Sequence, residues 1–89
     1  MDSLGDIARL LRAARALAKL RQDELAKHAG VSRQMVARIE KASKGIPFEA
    51  IEKVRRALER KGIEFFPATV THGPAIALRK EKKSSSESK

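Results

Sequence analysis

The stretch that most constrains the fold is residues 22–41, QDELAKHAGVSRQMVARIEK, because it holds two short helical patterns with a turn signal between them. The first pattern puts three apolar residues on one face of a helix over 22–29: Leu25, Ala26 and Ala29. Gly30 follows, where a helix end favours a residue that adopts a left-handed conformation without strain. Ser32 then offers a hydroxyl that can cap the next helix. We therefore predict a helix, a tight turn and a second helix.

The second helix of this stretch is predicted over residues 33–41, with Val36 and Ile39 facing the core. Its other side carries two arginines, a glutamine and a small residue: Arg33, Gln34, Ala37 and Arg38. Arginine can form a forked pair of hydrogen bonds with guanine, and glutamine can do so with adenine. This face is therefore chemically suited to reading base edges in the major groove of DNA.

The spacing of these residues resembles the helix-turn-helix of the Xre/Cro-type family, which includes the phage repressors. The matching positions are Gln22-x-x-Leu25-Ala26-x-x-x-Gly30-Val31-Ser32-x-x-x-Val36-x-x-Ile39-Glu40. The resemblance implies a mainly α fold, in which a four-helix lambda-repressor-like domain binds DNA sequence-specifically. It also implies that the second helix of the motif lies in the major groove while the first crosses the backbone.

The resemblance assigns roles to residues around the second helix of the motif, which is called the reading helix below. It implies an ion pair between Arg15 of the first helix and Glu40. Gln22 matches a glutamine that binds a phosphate, and the backbone amide at that helix start can do the same. Arg21 departs from the family, which usually has Ser or Thr there. The helix start is then either frayed or capped by Gln22 or Asp23, and Arg21 becomes a candidate phosphate contact.

The loop after the reading helix, residues 41–45, is basic and follows the DNA backbone in the family. We expect phosphate contacts from three of its side chains, in addition to Ser32: Lys41, Ser43 and Lys44. The alternative for each of the three is an ordinary solvated position in a basic turn.

Two further helices are predicted around this motif. The first spans Ser3 to Leu20, with Ser3 and Asp6 as a capping box, and its apolar stripe is Ile7, Leu10, Leu11, Ala14, Leu17 and Ala18. The last begins at Pro47 and ends at Gly62, and its predicted buried stripe is Phe48, Ile51, Val54 and Leu58. On its solvent side we expect two ion pairs at i,i+4 spacing: Glu49 with Lys53, and Glu52 with Arg56.

The C-terminal part of the chain changes period. Residues 63–66 and 75–79 have β-type character around a Gly-Pro-containing loop, which predicts a two-stranded β element. Its apolar side chains need cover: Ile63, Phe65, Phe66, Ile76 and Leu78. Packing on the helices of the same chain is one solution, and pairing with the same segment of a second chain is another. We favour the second, since related repressors bind two half-sites as dimers.

This division gives three regions: a helix-turn-helix domain over 1–62, a dimerisation element over 63–79, and a disordered charged tail over 80–89. The net charge of +9 favours a polyanionic partner such as nucleic acid. With no cysteine and only His28 and His72, neither a metal site, a cofactor nor an enzymatic mechanism is indicated. No apolar run suits a membrane span and the acidic N-terminus is unlike a secretory signal, so we expect a cytoplasmic, nucleoid-associated protein.

Three functions fit these observations. The first is a homodimeric transcriptional regulator, most simply a repressor, that binds an inverted repeat in double-stranded DNA without a small-molecule ligand. The second is an antitoxin-type interaction protein that represses its own operon and binds a partner protein. The third is an architectural protein that coats DNA without sequence preference.

Overall fold

The chain forms four helices followed by a β-hairpin in a computed structural model that describes residues 3–80. The elements are α1 (Leu4–Leu17), α2 (Gln22–Ala29), α3 (Arg33–Glu40), α4 (Phe48–Arg60), β1 (Ile63–Phe66) and β2 (Ala75–Leu78). This architecture confirms the fold class predicted from the sequence. The tail predicted over 80–89 lies, apart from Lys80, outside the described residues.

Helix α1 begins with the predicted capping box, because the Ser3 hydroxyl accepts a hydrogen bond from the Asp6 amide at 3.1 Å. In return, the Asp6 carboxylate accepts one from the Ser3 amide at 3.3 Å. The helix ends at Leu17, earlier than the predicted end at Leu20. The backbone of Lys19 has a φ of 60°, a left-handed conformation that cannot continue an α-helix.

Helix α2 is capped differently from the expectation. The Glu24 carboxylate accepts a hydrogen bond from the Arg21 amide at 2.8 Å, so Glu24 caps the helix start rather than Gln22 or Asp23. Glu24 stands three residues after the N-cap, which is the spacing of the acidic half of a capping box. This signal was available in the sequence. At the other end, Gly30 has a φ of 74°, as the turn requires.

The core lies between all four helices and β1. Its largest fully buried side chains come from α2, α3, α4 and β1: Leu25, Val36, Ile39, Val54, Leu58 and Ile63. The predicted buried stripe of α4 is confirmed at Val54 and Leu58, and Ile51 is half-buried against the core. The prediction for Phe48 was wrong, because its side chain is 73% exposed. Ala50 and Ala57 complete the buried stripe instead.

The ion pairs of α4 match the prediction in one case and differ from it in the other. Glu49 and Lys53 lie 4.0 Å apart as predicted, but the pair between Glu52 and Arg56 is absent from the described residues. Arg55 takes that place, because its guanidinium lies 3.8 Å from Glu52 and also 3.5 Å from Glu59 on the next turn.

The two strands pair antiparallel within one chain, with Ile63 opposite Leu78 and Phe65 opposite Ile76. Strand β1 packs against α4, and strand β2 packs against α1. Ile63 is fully buried in the core. It therefore offers no exposed surface to a second chain in this arrangement, and the assignment of the strand residues to dimerisation stays a prediction. The remaining residues of that set are half-buried (Phe65, Ile76) or substantially exposed (Phe66, Leu78).

Candidate nucleic-acid interface

Helix α3 has two chemically distinct faces because its apolar residues recur every three to four positions. Val36 and Ile39 are 1% exposed and hold the helix to the core. The other face carries the four residues predicted to read bases: Arg33, Gln34 and Arg38, which are exposed, and Ala37, which is half-buried. Helix α3 thus presents an arginine-rich face to solvent, as a helix that enters a DNA groove must do.

Ser32 fixes the start of α3. Its hydroxyl oxygen accepts a hydrogen bond from the Met35 amide at 3.0 Å, which satisfies one of the free donors at the helix start. The hydroxyl proton remains a donor that can bind a phosphate oxygen. Met35 is half-buried against the core, beside Pro47 and Ala50 at the start of α4.

Arg38 has a different environment from the other residues on the outward face of α3. Its guanidinium donates a hydrogen bond to the Lys44 carbonyl at 2.8 Å, and its own carbonyl accepts one from the Ser43 amide at 3.0 Å. Arg38 therefore holds the loop that follows α3, and its role in reading bases stays a prediction. A backbone acceptor several residues away leaves no signal in a sequence pattern, so this contact could not have been predicted.

The loop after α3 brings its three predicted phosphate-binding residues close to the reading face. Lys41 and Lys44 are exposed and Ser43 is half-buried. The ion pairs among residues 3–80 involve neither lysine, nor do they involve Arg33 of α3. These three positive charges are therefore available to a polyanion.

A buried polar cluster joins α3 to α1 and α2. Glu40 accepts hydrogen bonds from Arg15 Nε at 2.6 Å and Nη2 at 3.0 Å, which is the bidentate geometry of strong ion pairs. Arg15 also donates to the Leu20 carbonyl at 3.0 Å. The hydrogen bond to Glu40 holds the pKa of the Arg15 guanidinium above its usual value, so the charge is permanent.

Gln22 belongs to the same cluster, because its Nε2 donates to Glu40 Oε1 at 3.1 Å. This side chain was predicted to contact a phosphate directly. Its amide still has a second proton, and the backbone N–H of the first turn of α2 has no partner within the helix. Glu40 thus fixes Gln22 at the helix start, where these two donors remain for a phosphate.

Arg21, the remaining predicted phosphate contact, lies at the surface with its charge balanced locally. Its guanidinium lies 3.1 Å from Asp23 and 3.4 Å from Glu24. The hydrogen bond from Arg21 lowers the pKa of the Asp23 carboxyl. A phosphate would have to compete with these two carboxylates for Arg21, which makes it a weaker candidate than Lys41 or Lys44.

Other kinds of site find little support in residues 3–80. They contain no cluster of three or more side chains able to hold a metal ion. His28 and His72 are both exposed, and His72 bonds only to the neighbouring Thr71 and Thr69. None of the helices within this range has the length and apolar character to cross a bilayer.

Comparison with known proteins agrees with this geometry. A family model described as a helix-turn-helix matches residues 11–66, from the middle of α1 to the end of β1. The match covers more than half of the chain, and the protein belongs to this Xre/Cro-like helix-turn-helix family. It is accordingly a DNA-binding transcription regulator. No curated protein matches the chain.

Proposed function

We propose that this protein is a sequence-specific repressor that binds an inverted repeat in double-stranded DNA as a homodimer. The observation that carries the proposal is the exposed face of α3, whose Arg33 and Gln34 project from a helix fixed by buried contacts on its opposite side. At 1.5 Å per residue, α3 is about 12 Å long, a length that fits within a major groove of similar width.

The proposed mechanism divides the contacts into two groups. Arg33 and Gln34 form hydrogen bonds with base edges, and each good pair discriminates by roughly 1–3 kcal/mol against the wrong base. The N-terminus of α2, Ser32 and the loop lysines bind phosphates on either side and fix the orientation of α3. Bound at a promoter, the protein excludes polymerase. It needs no cofactor or enzymatic step, and it acts at the nucleoid in the cytoplasm.

The decisive experiment is selection of bound duplexes from a random DNA pool with the purified full-length protein. We expect an enriched inverted repeat whose half-sites lie about one helical turn apart. An enriched single half-site would leave sequence reading intact and contradict the dimer. No enrichment over the starting pool would contradict sequence-specific binding and favour an architectural protein.

Two variants test the separation of base and phosphate contacts on the selected site. Arg33→Ala should relax the preference at one base position while leaving binding to unrelated DNA nearly unchanged. Lys44→Ala should weaken binding to all sequences and reduce the salt dependence by about one counterion. If Arg33→Ala keeps both the preferred site and its affinity, the proposed position of α3 in the groove is wrong.

The antitoxin alternative is supported by the apolar side chains that the hairpin leaves exposed, since Phe66 and Leu78 are 46% and 49% exposed. It requires a partner encoded nearby. A small adjacent reading frame whose product co-purifies with this protein in stoichiometric amounts would favour it, and its absence from the locus would count against it.

A further inference from the structure

An open apolar groove lies on the part of the molecule formed by α1, α4 and the hairpin. It has a volume of about 430 Å³, and its lining includes Ile7, Leu10, Phe48, Ile51, Phe65 and Phe66. Residues of α2 and α3 do not line it. The groove is therefore separate from the face of α3 that carries Arg33 and Gln34.

The described residues leave this groove open to solvent, although most of its lining is apolar. Contiguous exposed apolar surface marks an interaction site. The groove is therefore a surface on which another molecule can dock.

The groove has the shape that a self-complementary interface requires. An interface about a two-fold axis uses the same patch on both copies, so the patch must contain both a projection and a depression. Phe48 provides the projection, because it lines the groove and 73% of its surface is exposed. Aromatic side chains, phenylalanine among them, are enriched at protein interfaces.

The charges around the groove also suit a second copy. The charged residues in its lining are one acid and one base, Glu52 and Arg55, which lie 3.8 Å apart. The patch is therefore neutral although the chain carries a net charge of +9. About a two-fold axis, Glu52 of each copy can face Arg55 of the other, so the contact is electrostatically complementary.

We propose that a second copy of this chain docks in this groove, with Phe48 of each copy entering the groove of the other. The proposal rests on the homodimer of the proposed function and specifies its surface. Helix α4 and the groove provide the contact, and the strands remain paired within their own chains.

Sedimentation equilibrium of the full-length protein tests this surface. The variant Phe48→Ala should raise the dimer dissociation constant about 30-fold or more, the effect expected of a central aromatic anchor. It should keep the wild-type circular dichroism spectrum, because Phe48 is outside the core. The control is Val70→Ala in the hairpin loop, which truncates a fully exposed apolar side chain away from the groove and should leave the constant unchanged.

A charge exchange tests the two-fold arrangement. Glu52→Arg and Arg55→Glu should each weaken self-association, because each places like charges opposite one another. Mixing the two variants should restore a heterodimer with affinity near that of the wild type. If both variants dimerise as the wild type does and the mixture gains nothing, the proposed contact is wrong.

The outcomes separate this surface from the wider function. A wild type that stays monomeric at micromolar concentration overturns both the groove contact and the homodimer. A Phe48→Ala variant that dimerises normally overturns the groove contact alone. Recognition of DNA is measured independently, since a monomeric Phe48→Ala protein should still prefer the same half-site sequence.

Discussion

Truncation of Glu40 should destabilise the fold, because this residue is the acidic partner in a buried ion pair. Its side chain is 5% exposed and accepts two hydrogen bonds from Arg15 and one from Gln22. In Glu40→Ala, the Arg15 guanidinium, itself only 20% exposed, would keep a single partner, the Leu20 carbonyl. A positive charge would then remain largely buried without its counter-charge.

Breaking a buried ion pair by removing one partner costs roughly 3–5 kcal/mol. Because Arg15 keeps one hydrogen bond and some contact with water, we expect the lower end, about 3 kcal/mol. A domain of this size has a total stability of about 4–13 kcal/mol. Each kcal/mol lowers the melting temperature of such a domain by about 4–8 °C, so the expected decrease is about 12–24 °C.

Urea and thermal unfolding of the purified variants would measure this loss. The matched control is Glu49→Ala, which removes a glutamate whose side chain is 79% exposed and lies 4.0 Å from Lys53. It should cost less than about 0.5 kcal/mol. A double variant, Arg15→Met with Glu40→Leu, should recover most of the loss because no charge remains buried. A Glu40→Ala variant no less stable than Glu49→Ala, or a double variant as unstable as Glu40→Ala, would refute this reasoning.

Three further predictions concern the turn and the loop. Arg38→Ala should weaken DNA binding without changing the preferred sequence, because it releases the Lys44 carbonyl; titration of the selected and a scrambled duplex would show this, and an altered base preference would contradict it. Ser32→Ala should lower the free energy of unfolding by about 1 kcal/mol, whereas Ser32→Gly should cost only a few tenths; equal urea midpoints for both variants would count against the cap. Gly30→Ala should destabilise the fold by about 1 kcal/mol, because the backbone φ of 74° strains a residue with a Cβ. Gly5→Ala should stabilise slightly, because Gly5 lies in the first turn of α1 and an added Cβ would have only the Ser3 hydroxyl oxygen as a neighbour, at 3.7 Å. Thermal melts in which both changes act alike would contradict this.

The sequence predicted the helices of this fold well because their signals are local. Ser3 with Asp6 and Ser32 with Met35 form caps within four residues, and the φ of Gly30 is a requirement of a single position. The hydrophobic period also fixed which side of α3 faces the core. Such features depend on neighbours along the chain, so they can be inferred without knowing what lies opposite.

The phase of α4 and the partners of the polar side chains could not be inferred in this way. Helix α4 carries two adjacent apolar stripes, and the larger side chains made Phe48 the natural candidate for burial. The structure leaves Phe48 exposed and buries Ala50 and Ala57 beside the predicted Val54 and Leu58. Likewise, the Arg38 bond to Lys44 and the Gln22 bond to Glu40 depend on how separate elements come together.

The two sides of α3 contribute to different properties of the protein. Val36, Ile39 and Glu40 hold the helix in place from one side, while Arg33 and Gln34 contribute nothing to the core from the other. Under the proposed function, exchanging Arg33 and Gln34 should therefore change the preferred DNA sequence with little loss of folding free energy. Helix α3 is consequently a natural point for diversification by mutation, and for engineering DNA-binding regulators that act independently of one another in the same cell.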